Sequence, residues 1–546
     1  MTGPLLRRRP IVLCVLDGVG ERAEFVNNGV RAAQMPALAA LRRDYPTTLL
    51  RASGPSVGLS EGAPGSSEAG YRTLGAGRAV ESVSLRIDRA IADRTLGRND
   101  AVEQLMRLAK YDGAALHLFA LLSESRAHAS LDHLTAMLEI ASFHELDVVV
   151  HAVLDGRDGP RRSAFSLLDK LSLALDSRAT LGTLSGRRYA MDGDGHWDRV
   201  YRAYHAIVRD PVLGPTAPRA ESAYEALEQT YASGLSDDEL VPVRIGNYEG
   251  LRGSFVCDFS APEPAWGWTS EAAGFALNTH PGGLRQLTQM LTRQRIPDEI
   301  ATDLLSDRGR PVLAFREHCF ATLTTYDPWL EHVPAAFSDP PSDGSLLLTL
   351  ARAGRSHHAF GETERRFDLD AFFANGADER IVNNGRQTLV PSPRLVESHL
   401  ERPSMSAPAV AREACASVTS DGMDFLLVSL ANADVLAGLG DRETTIRALE
   451  AVDAALGELV NAAKSAGATL LVTASHGNAE QLTDDRDRPS GAATANPVPF
   501  ILVDDDRIGT RLAVEGSLAD VAPTILALSG VETPAAMTGR SLLERS

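Results

Sequence analysis

The chain has 546 residues, of which 44% are hydrophobic and 23% are charged, a composition typical of a globular protein with room for several domains. Its net charge of −18 disfavours nucleic acid and anionic membrane as general partners, so an anionic substrate would need a locally basic pocket. The four cysteines lack metal-type spacing, and no apolar run approaches the roughly 18–20 residues of a membrane span. The first residues lead into a strand without signal-peptide features, and we expect a cytoplasmic protein.

The first element is an apolar run, Ile11–Leu16, followed directly by Asp17 and Gly18. A short run of this kind predicts a buried parallel strand. Open α/β sheets bind ligands at the carboxyl ends of their strands, so Asp17 is a candidate site residue. The alternative is an aspartate that only caps a turn.

Ser67 lies within a run of small residues, Ala63-Pro64-Gly65-Ser66-Ser67-Glu68-Ala69-Gly70. The pattern is typical of a strand-to-helix turn that presents a hydroxyl group to a substrate. A serine in an ordinary glycine-containing loop is the alternative interpretation, and the surrounding motifs decide between the two.

In the middle of the chain, polar groups follow two apolar strands. Residues 115–122 lead to Ser123 and His128, and the strand at 146–151 leads to the tetrapeptide Asp155-Gly156-Arg157-Asp158. The arginine can hold an anionic group with two parallel hydrogen bonds, and Asp158 can orient that group or accept a proton. A structural ion pair is the alternative.

Three motifs of the same kind follow in the C-terminal part. Arg365 ends the run Glu362-Thr363-Glu364-Arg365, Asp434 follows the strand at 425–430, and His476 follows the strand at 469–474. Asp434 and His476 would therefore lie near the ends of two strands, where open α/β sheets bind ligands.

In this order and spacing, the motifs resemble the cofactor-independent phosphoglycerate mutases of the alkaline phosphatase superfamily over nearly the whole chain. The resemblance implies an α/β fold in which an alkaline-phosphatase-like central-sheet domain is interrupted by a second α/β domain of transferase type. The expected boundaries are residues 1–80 and 310–546 for the first domain, which carries the serine and the metals, and 84–307 for the inserted, substrate-binding domain.

The resemblance also implies roles for individual residues. Ser67 would accept the phosphoryl group, and His128 and Asp158 would assist the chemistry. Arg157, Arg187 and Arg365 would bind substrate, with Arg365 at a position where the family has lysine. Arginine keeps the charge of that lysine but not its geometry.

The family works with two divalent cations, usually manganese, and here its ligand set is incomplete. Asp17, Ser67 and His476 would remain from one metal site, in which Ser475 replaces an aspartate. Asp434 would remain from the other, in which Gly438 and Ala493 replace histidines. We therefore expect at most one divalent cation (Mn, Zn or Mg), or none.

Substrate arginines are also missing, since their positions carry Gly193, His280 and Gly283. The favoured hypothesis is a repurposed phosphoryl- or phosphonyl-transfer enzyme that acts on a small anionic metabolite, a phosphate ester or a phosphonate. A catalytically silent binding or regulatory homologue is the first alternative. The second is a working mutase whose ligands come from Glu480, His357 or His358, although these histidines are more typical of solvated residues beside a loop.

Overall fold

The structure is a computed structural model of the full chain. It describes residues 9–123, 129–157, 160–193, 195–209, 217–251, 253–258, 265–270, 272–279, 282–292, 294, 296, 315, 319–326, 330, 332–338, 343–375, 385–393, 399–420, 422–483 and 489–544. Their contacts divide the chain into two compact units. Unit 1 comprises Met1–Ser82 and Pro340–Ser546, and unit 2 comprises Val83–Asp339.

The return to unit 1 lies later in the chain than the sequence indicated. We expected it near residue 310, whereas the contacts place it at Pro340. The reason is that two further strands, Phe320–Thr324 and Ala335–Phe337, extend the sheet of unit 2 by parallel pairing. The expected hinge at 308–311 lies outside the described residues.

Strands and helices alternate along the chain, as the apolar runs and glycine turns predict for an α/β protein. In chain order the strands are β1 (Ile11–Leu16), β2 (Thr47–Arg51), β3 (Ala115–Leu122), β4 (Val148–Leu154), β5 (Ala179–Gly186), β6 (Arg219–Ala220), β7 (Val243–Ile245), β8 (Gly253–Asp258), β9 (Ala265–Ser270), β10 (Ala272–Leu277), β11 (Phe320–Thr324), β12 (Ala335–Phe337), β13 (His357–Glu362), β14 (Gly385–Val390), β15 (Phe425–Leu430), β16 (Thr469–Thr473), β17 (Val498–Val503) and β18 (Glu515–Ser517).

Unit 1 is built on a mixed sheet whose eight described strands run in the order β14-β13-β15-β1-β16-β17-β2-β18. β1 lies at the centre, parallel to β15 and β16, and all six of its residues are buried. Strands covered on both faces need apolar side chains on both, which explains the continuous run at 11–16. The described α-helices are Gly29–Ala32, Pro36–Asp44, Ser67–Ala76, Leu346–Arg352, Ala407–Ser420, Asn432–Gly438, Arg442–Ala466 and Val521–Ser529.

Unit 2 has its own sheet, whose eight described strands run in the order β12-β11-β10-β3-β4-β5-β7-β6. β3, β4 and β5 pair in parallel at its centre, and β8 and β9 form a separate antiparallel pair. The described α-helices are Val83–Ala92, Asp100–Asp112, Leu131–Phe143, Ala164–Ala174, Arg187–Ala190, Trp197–Ile207, Ala223–Ala232 and Arg285–Thr292. Within the described ranges, the chain has no helix with the length and hydropathy of a membrane span.

The topology of unit 1 brings four polar motifs to one edge of its sheet. β1, β13, β15 and β16 are neighbours and run in parallel, so their carboxyl ends lie on the same side. The residues that follow these strands include Asp17, Arg365, Asp434 and His476. This edge is where the candidate site is built.

Candidate active site

Ser67 is the first residue of the helix Ser67–Ala76, and its position is fixed by two local features. Ser66 caps the helix, because its Oγ accepts a hydrogen bond from the Ala69 amide at 3.2 Å. Gly70 lies against the backbone of Ser475, and a Cβ there would lie 2.2 Å from the Ser475 carbonyl oxygen. The helix therefore starts beside the end of β16, and the partly exposed Ser67 side chain remains accessible.

Asp17 is fully buried at the end of β1 and accepts hydrogen bonds on both carboxylate oxygens. Tyr71 and Ser429 both donate to its Oδ2, each at 2.9 Å. Ser475 donates to its Oδ1 at 2.5 Å. These bonds hold a buried carboxylate that would otherwise be costly to desolvate.

Asp434 is the second acidic group of the site. Its Oδ1 lies 3.0 Å from His476 Nε2 and accepts a hydrogen bond of the same length from Asn478. Its Oδ2 lies 3.5 Å from Ser67 Oγ, within donating distance of the hydroxyl. Asp434 thus links the candidate nucleophile to the histidine.

Arg365 connects the two acidic groups. Its Nη1 donates to Ser67 Oγ at 3.0 Å, its Nε lies 3.3 Å from Asp17 Oδ2, and its Nη2 pairs with Asp434. Nη1 also lies 3.4 Å from Asp368 Oδ2, one helical turn away. The arginine side chain is only 9% exposed, so these contacts lie in a weakly screened environment.

The ionisation of the cluster follows from burial and pairing. Burial opposes the charged form of Arg365, but the charges of Asp17, Asp434 and Asp368 outweigh it and raise the arginine pKa. For Asp434, burial would raise the pKa, yet His476 and Arg365 together lower it. Burial raises the pKa of Asp368 to about 7 in spite of Arg365. At His476, the Asp434 carboxylate outweighs burial and raises the pKa.

The mutase alternative requires Glu480, His357 or His358 to be available as a metal ligand, but all three side chains are buried. Glu480 is fully buried, and its carboxylate accepts hydrogen bonds from the Gly20 and Asn478 amides at 3.0 and 2.8 Å. The expectation that the two histidines are solvated is wrong, because both are buried in β13, inside the sheet. His358 Nε2 lies 2.9 Å from Thr388 Oγ1 on the neighbouring strand.

Unit 2 carries a second polar cluster at the carboxyl ends of β3, β4 and β5. Asp155 accepts a hydrogen bond from Ser123 at 2.6 Å and another from Arg187 Nη1 at 2.8 Å. Arg157 is half exposed, and its Nε lies 3.3 Å from Asp238 Oδ2. Arg157 and Arg187 therefore already have carboxylate partners, as the structural alternative for the tetrapeptide requires.

The sequence-predicted residues are thus found in two groups. Ser67, Arg365, Asp434 and His476 contact one another directly or through one residue, and Asp17 joins them through Arg365. Arg157 and Arg187 belong to the cluster of unit 2, whereas His128, Asp158 and His280 lie outside the described residues. Sequence reasoning missed four contributors, which are Tyr71, Asp368, Ser429 and Asn478.

Two of the missed residues carried a readable signal. Tyr71 is four residues after Ser67 and Asp368 is three residues after Arg365, and both spacings place side chains on one face of a helical turn. Ser429 and Asn478 gave no comparable signal, because their contacts depend on the pairing of distant strands.

The chain is similar to known enzymes over nearly its whole length. The model of the Metalloenzyme superfamily matches residues 9–533, which is nearly the whole chain. The 2,3-bisphosphoglycerate-independent phosphoglycerate mutases of Cyanothece sp. and Symbiobacterium thermophilum are each 37% identical to it. They cover 98% of this chain, and the alignments span 96% and 98% of their own lengths.

A solved structure agrees with these relatives. Phosphoglycerate mutase of Leishmania mexicana, crystallised at low cobalt concentration, matches all of this chain and 99% of its own, with a TM-score of 0.83 and 26% identity. The chain belongs to the family of 2,3-bisphosphoglycerate-independent phosphoglycerate mutases, and it is an enzyme of that phosphotransferase and isomerase class. The expected fold class, alkaline-phosphatase-like with an interrupting α/β domain, is confirmed.

Membership in a metalloenzyme family implies divalent metal, and the donors present fit it poorly. Among the described residues, no three His, Cys, Asp or Glu side chains are grouped so that they could hold a metal ion. Ser475 uses its hydroxyl on Asp17, and Asp434 pairs with Arg365 and His476. Gly438 and Ala493 offer no side-chain donor. The carboxylates of Asp17 and Asp434 are arranged to pair with the guanidinium of Arg365 and not to bind a divalent cation.

Proposed function

We propose that the enzyme transfers a phosphoryl or phosphonyl group through Ser67 and that its substrate is a small anionic metabolite. The contact between Arg365 Nη1 and Ser67 Oγ carries this proposal. A cation beside a hydroxyl favours the alkoxide and attracts an anionic phosphorus centre. The N-terminus of a ten-residue helix adds partial positive charge at the same point.

The proposed step uses side chains of unit 1. Ser67 Oγ attacks phosphorus, the bond from phosphorus to the leaving group breaks, and the leaving group departs with its electron pair. The hydroxyl proton passes to the leaving group, because Asp434, whose Oδ2 lies 3.5 Å from Ser67 Oγ, is held in its charged form by Arg365 and His476 and is a weak base. The product is a serine phosphoester, whose oxygens would face Arg365. His476 stays paired with Asp434 and balances its charge.

The proposal gives unit 2 the task of holding the substrate. Arg157 and Arg187 are the arginines assigned to the anionic end of the substrate, with His128 and Asp158 as its catalytic groups. Two positions that carry substrate arginines in the resembled family are glycines here, Gly193 and Gly283. We therefore propose that the enzyme is not an efficient glycolytic mutase, and that it carries at most one divalent ion (Mn, Zn or Mg) or none.

Labelling of the serine tests the proposal. The protein is incubated with a panel of phosphate monoesters and phosphonates that includes 3-phosphoglycerate, and the modified residue is located by mass spectrometry. We expect modification of Ser67 and loss of both label and turnover in Ser67→Ala. Ser66→Ala is the matched control, because Ser66 only caps the helix. Unimpaired turnover in Ser67→Ala would overturn the proposal.

A working mutase is the second candidate, and the 37% identity to mutases over the whole chain favours it. The coupled assay with 3-phosphoglycerate separates the two candidates. Turnover in the common enzymatic range of about 1–1000 per second would establish the mutase. We expect a rate far below that range, because Gly193 and Gly283 have no side chain that could bind the substrate anion in place of the family's arginines.

A further inference from the structure

The centre of the unit 1 site is occupied by one side chain, the guanidinium of Arg365. Its three nitrogens are spread over three carboxylates, those of Asp17, Asp368 and Asp434. A guanidinium remains protonated in proteins, so this is a permanent positive charge inside an acidic cluster. The geometry gives Arg365 the contacts that a bound cation would otherwise make.

The oxygens that Arg365 contacts belong to carboxylates, the side chains that divalent cations such as Mg²⁺ and Mn²⁺ prefer. Nε lies 3.3 Å from Asp17 Oδ2, and Nη2 pairs with Asp434 Oδ2. The other oxygen of Asp434 lies 3.0 Å from His476 Nε2, which withholds the imidazole lone pair from a metal while that nitrogen carries a proton. A dication would have to displace the arginine from both carboxylates or bind directly beside it.

Displacement is unfavourable for two reasons. The guanidinium is attached to the chain, so it competes as an intramolecular ligand at high effective concentration. A dication placed beside it would meet strong repulsion, because the arginine side chain is only 9% exposed and water screens the pair weakly.

We infer that Arg365 is the resident cation of this site: it neutralises Asp17 and Asp434 and excludes a divalent ion from between them. Removing its charge should therefore leave the carboxylates of Asp17 and Asp434 without a cation and allow a divalent ion to bind between them. The inference concerns cation binding alone, so it stands or falls independently of the proposed phosphoryl transfer.

Manganese binding to the full-length protein tests the inference without reference to activity. After treatment with a chelator, each variant is titrated with Mn²⁺, and free Mn²⁺ is followed by electron paramagnetic resonance. Asp434→Asn identifies binding at the site, because ions held by the acidic surface are retained in that variant. Arg366→Ala is the matched control, since Arg366 is 55% exposed and pairs with Asp370 outside the cluster.

We expect the native protein, Arg366→Ala and Asp434→Asn to bind Mn²⁺ alike. Arg365→Ala should bind one additional ion at least tenfold more tightly than any ion held by the native site, and its melting temperature should rise with Mn²⁺. The double variant Arg365→Ala/Asp434→Asn should lose that ion. A native ion that Asp434→Asn removes, or an Arg365→Ala variant that gains none, would overturn the inference.

Folding of the arginine variant is a separate matter, since Arg365→Ala leaves buried carboxylates without their cation. Arg365→Gln keeps hydrogen-bond donors in the same place and serves as the second variant. If both are unfolded in chelator, recovery of folded protein with Mn²⁺ supports the inference. If Mn²⁺ does not restore them, the comparison of native protein with Asp434→Asn decides: equal binding supports the inference, and a native ion lost in Asp434→Asn overturns it.

Discussion

Tyr71 and Asp17 are joined by a buried hydrogen bond of 2.9 Å, one helical turn from Ser67. The same hydroxyl lies 2.7 Å from Ser429 Oγ, so Tyr71 connects its own helix, Ser67–Ala76, to the end of β1 and to β15. Burial, followed by the charge of Asp17, raises the tyrosine pKa, which keeps the hydroxyl protonated as a donor. The tyrosine is a structural support for the carboxylate.

Tyr71→Phe should therefore destabilise unit 1 by about 1–3 kcal/mol, because Asp17 loses a donor in a buried place. Urea denaturation followed by circular dichroism measures the change. Tyr45→Phe is the control, since the Tyr45 hydroxyl contacts Asp505 at the surface. Equal stability of the two variants would show that the bond to Asp17 contributes nothing.

Alanine substitutions at two helical glycines, Gly70 and Gly457, should change the stability of unit 1 in opposite directions. A Cβ on Gly70 would lie 2.2 Å from the Ser475 carbonyl oxygen, so Gly70→Ala must push the serine helix away from the end of β16. We expect a loss of about 1–3 kcal/mol and reduced labelling of Ser67. Gly457 lies within the helix Arg442–Ala466, and a Cβ there would be 3.6 Å from Ala37 Cβ, an ordinary contact.

Gly457→Ala is accordingly the matched comparison for Gly70→Ala. Alanine favours the helix by about 1 kcal/mol relative to glycine, and no neighbour has to move. Thermal melts of both variants check the pair. A stabilising Gly70→Ala would mean that the helix and the β16 loop are not in the close contact described.

The pH dependence of unit 2 should be governed by a buried histidine pair. His117 Nδ1 lies 2.9 Å from His151 Nε2, and the rings stack with centroids 5.2 Å apart. Burial lowers the pKa of His117 to about 4. Burial, followed by the charge of His117, lowers the pKa of His151 well below its usual value. Both side chains fold in the neutral form.

Stability should fall at acid pH, because the folded and unfolded chains bind different numbers of protons. Unfolded histidine titrates near pH 6.5, so between about pH 6.5 and 4 the unfolded chain binds more protons than the folded one. The stabilisation is complete above pH 6.5 and is lost as the pH falls, by about 3 kcal/mol for His117 alone. His117→Gln should flatten the acid side of the stability profile, whereas His144→Gln, at a partly exposed helix end, should leave it unchanged.

Much of the candidate site was predictable because parallel strands bring their carboxyl ends together. Asp17, Asp434 and His476 each follow an apolar run, and the structure places all three at one edge of the sheet. Their neighbours were harder to predict. Asp368 contacts Arg365 within a local turn, but its burial depends on packing that no short pattern records.

The errors have the same origin. His357 and His358 precede the motif that contains Arg365, and their polarity indicated a solvated segment. The sheet covers them because β13 lies between β14 and β15. The boundary near 310 was wrong because the pairing of β11 and β12 with the second sheet is a non-local property. In each case the local sequence indicated the polarity of a segment, but the strands that pair with that segment determine whether it is buried and to which unit it belongs.

Glu480 is one of the residues that the mutase alternative would use as a metal ligand. Its Oε2 accepts the Gly20 and Asn478 amides, and its Oε1 accepts Asn496 at 3.0 Å and the Thr494 hydroxyl. An amide in its place can accept on one oxygen only, so Glu480→Gln should leave the donors on one side of the group without an acceptor and cost about 1–3 kcal/mol. Binding of Mn²⁺ should not change, since the carboxylate faces these loops. Gln481→Ala, beside it in the chain, is the control. Loss of Mn²⁺ binding in Glu480→Gln at unchanged stability would instead identify Glu480 as a ligand and favour the working mutase.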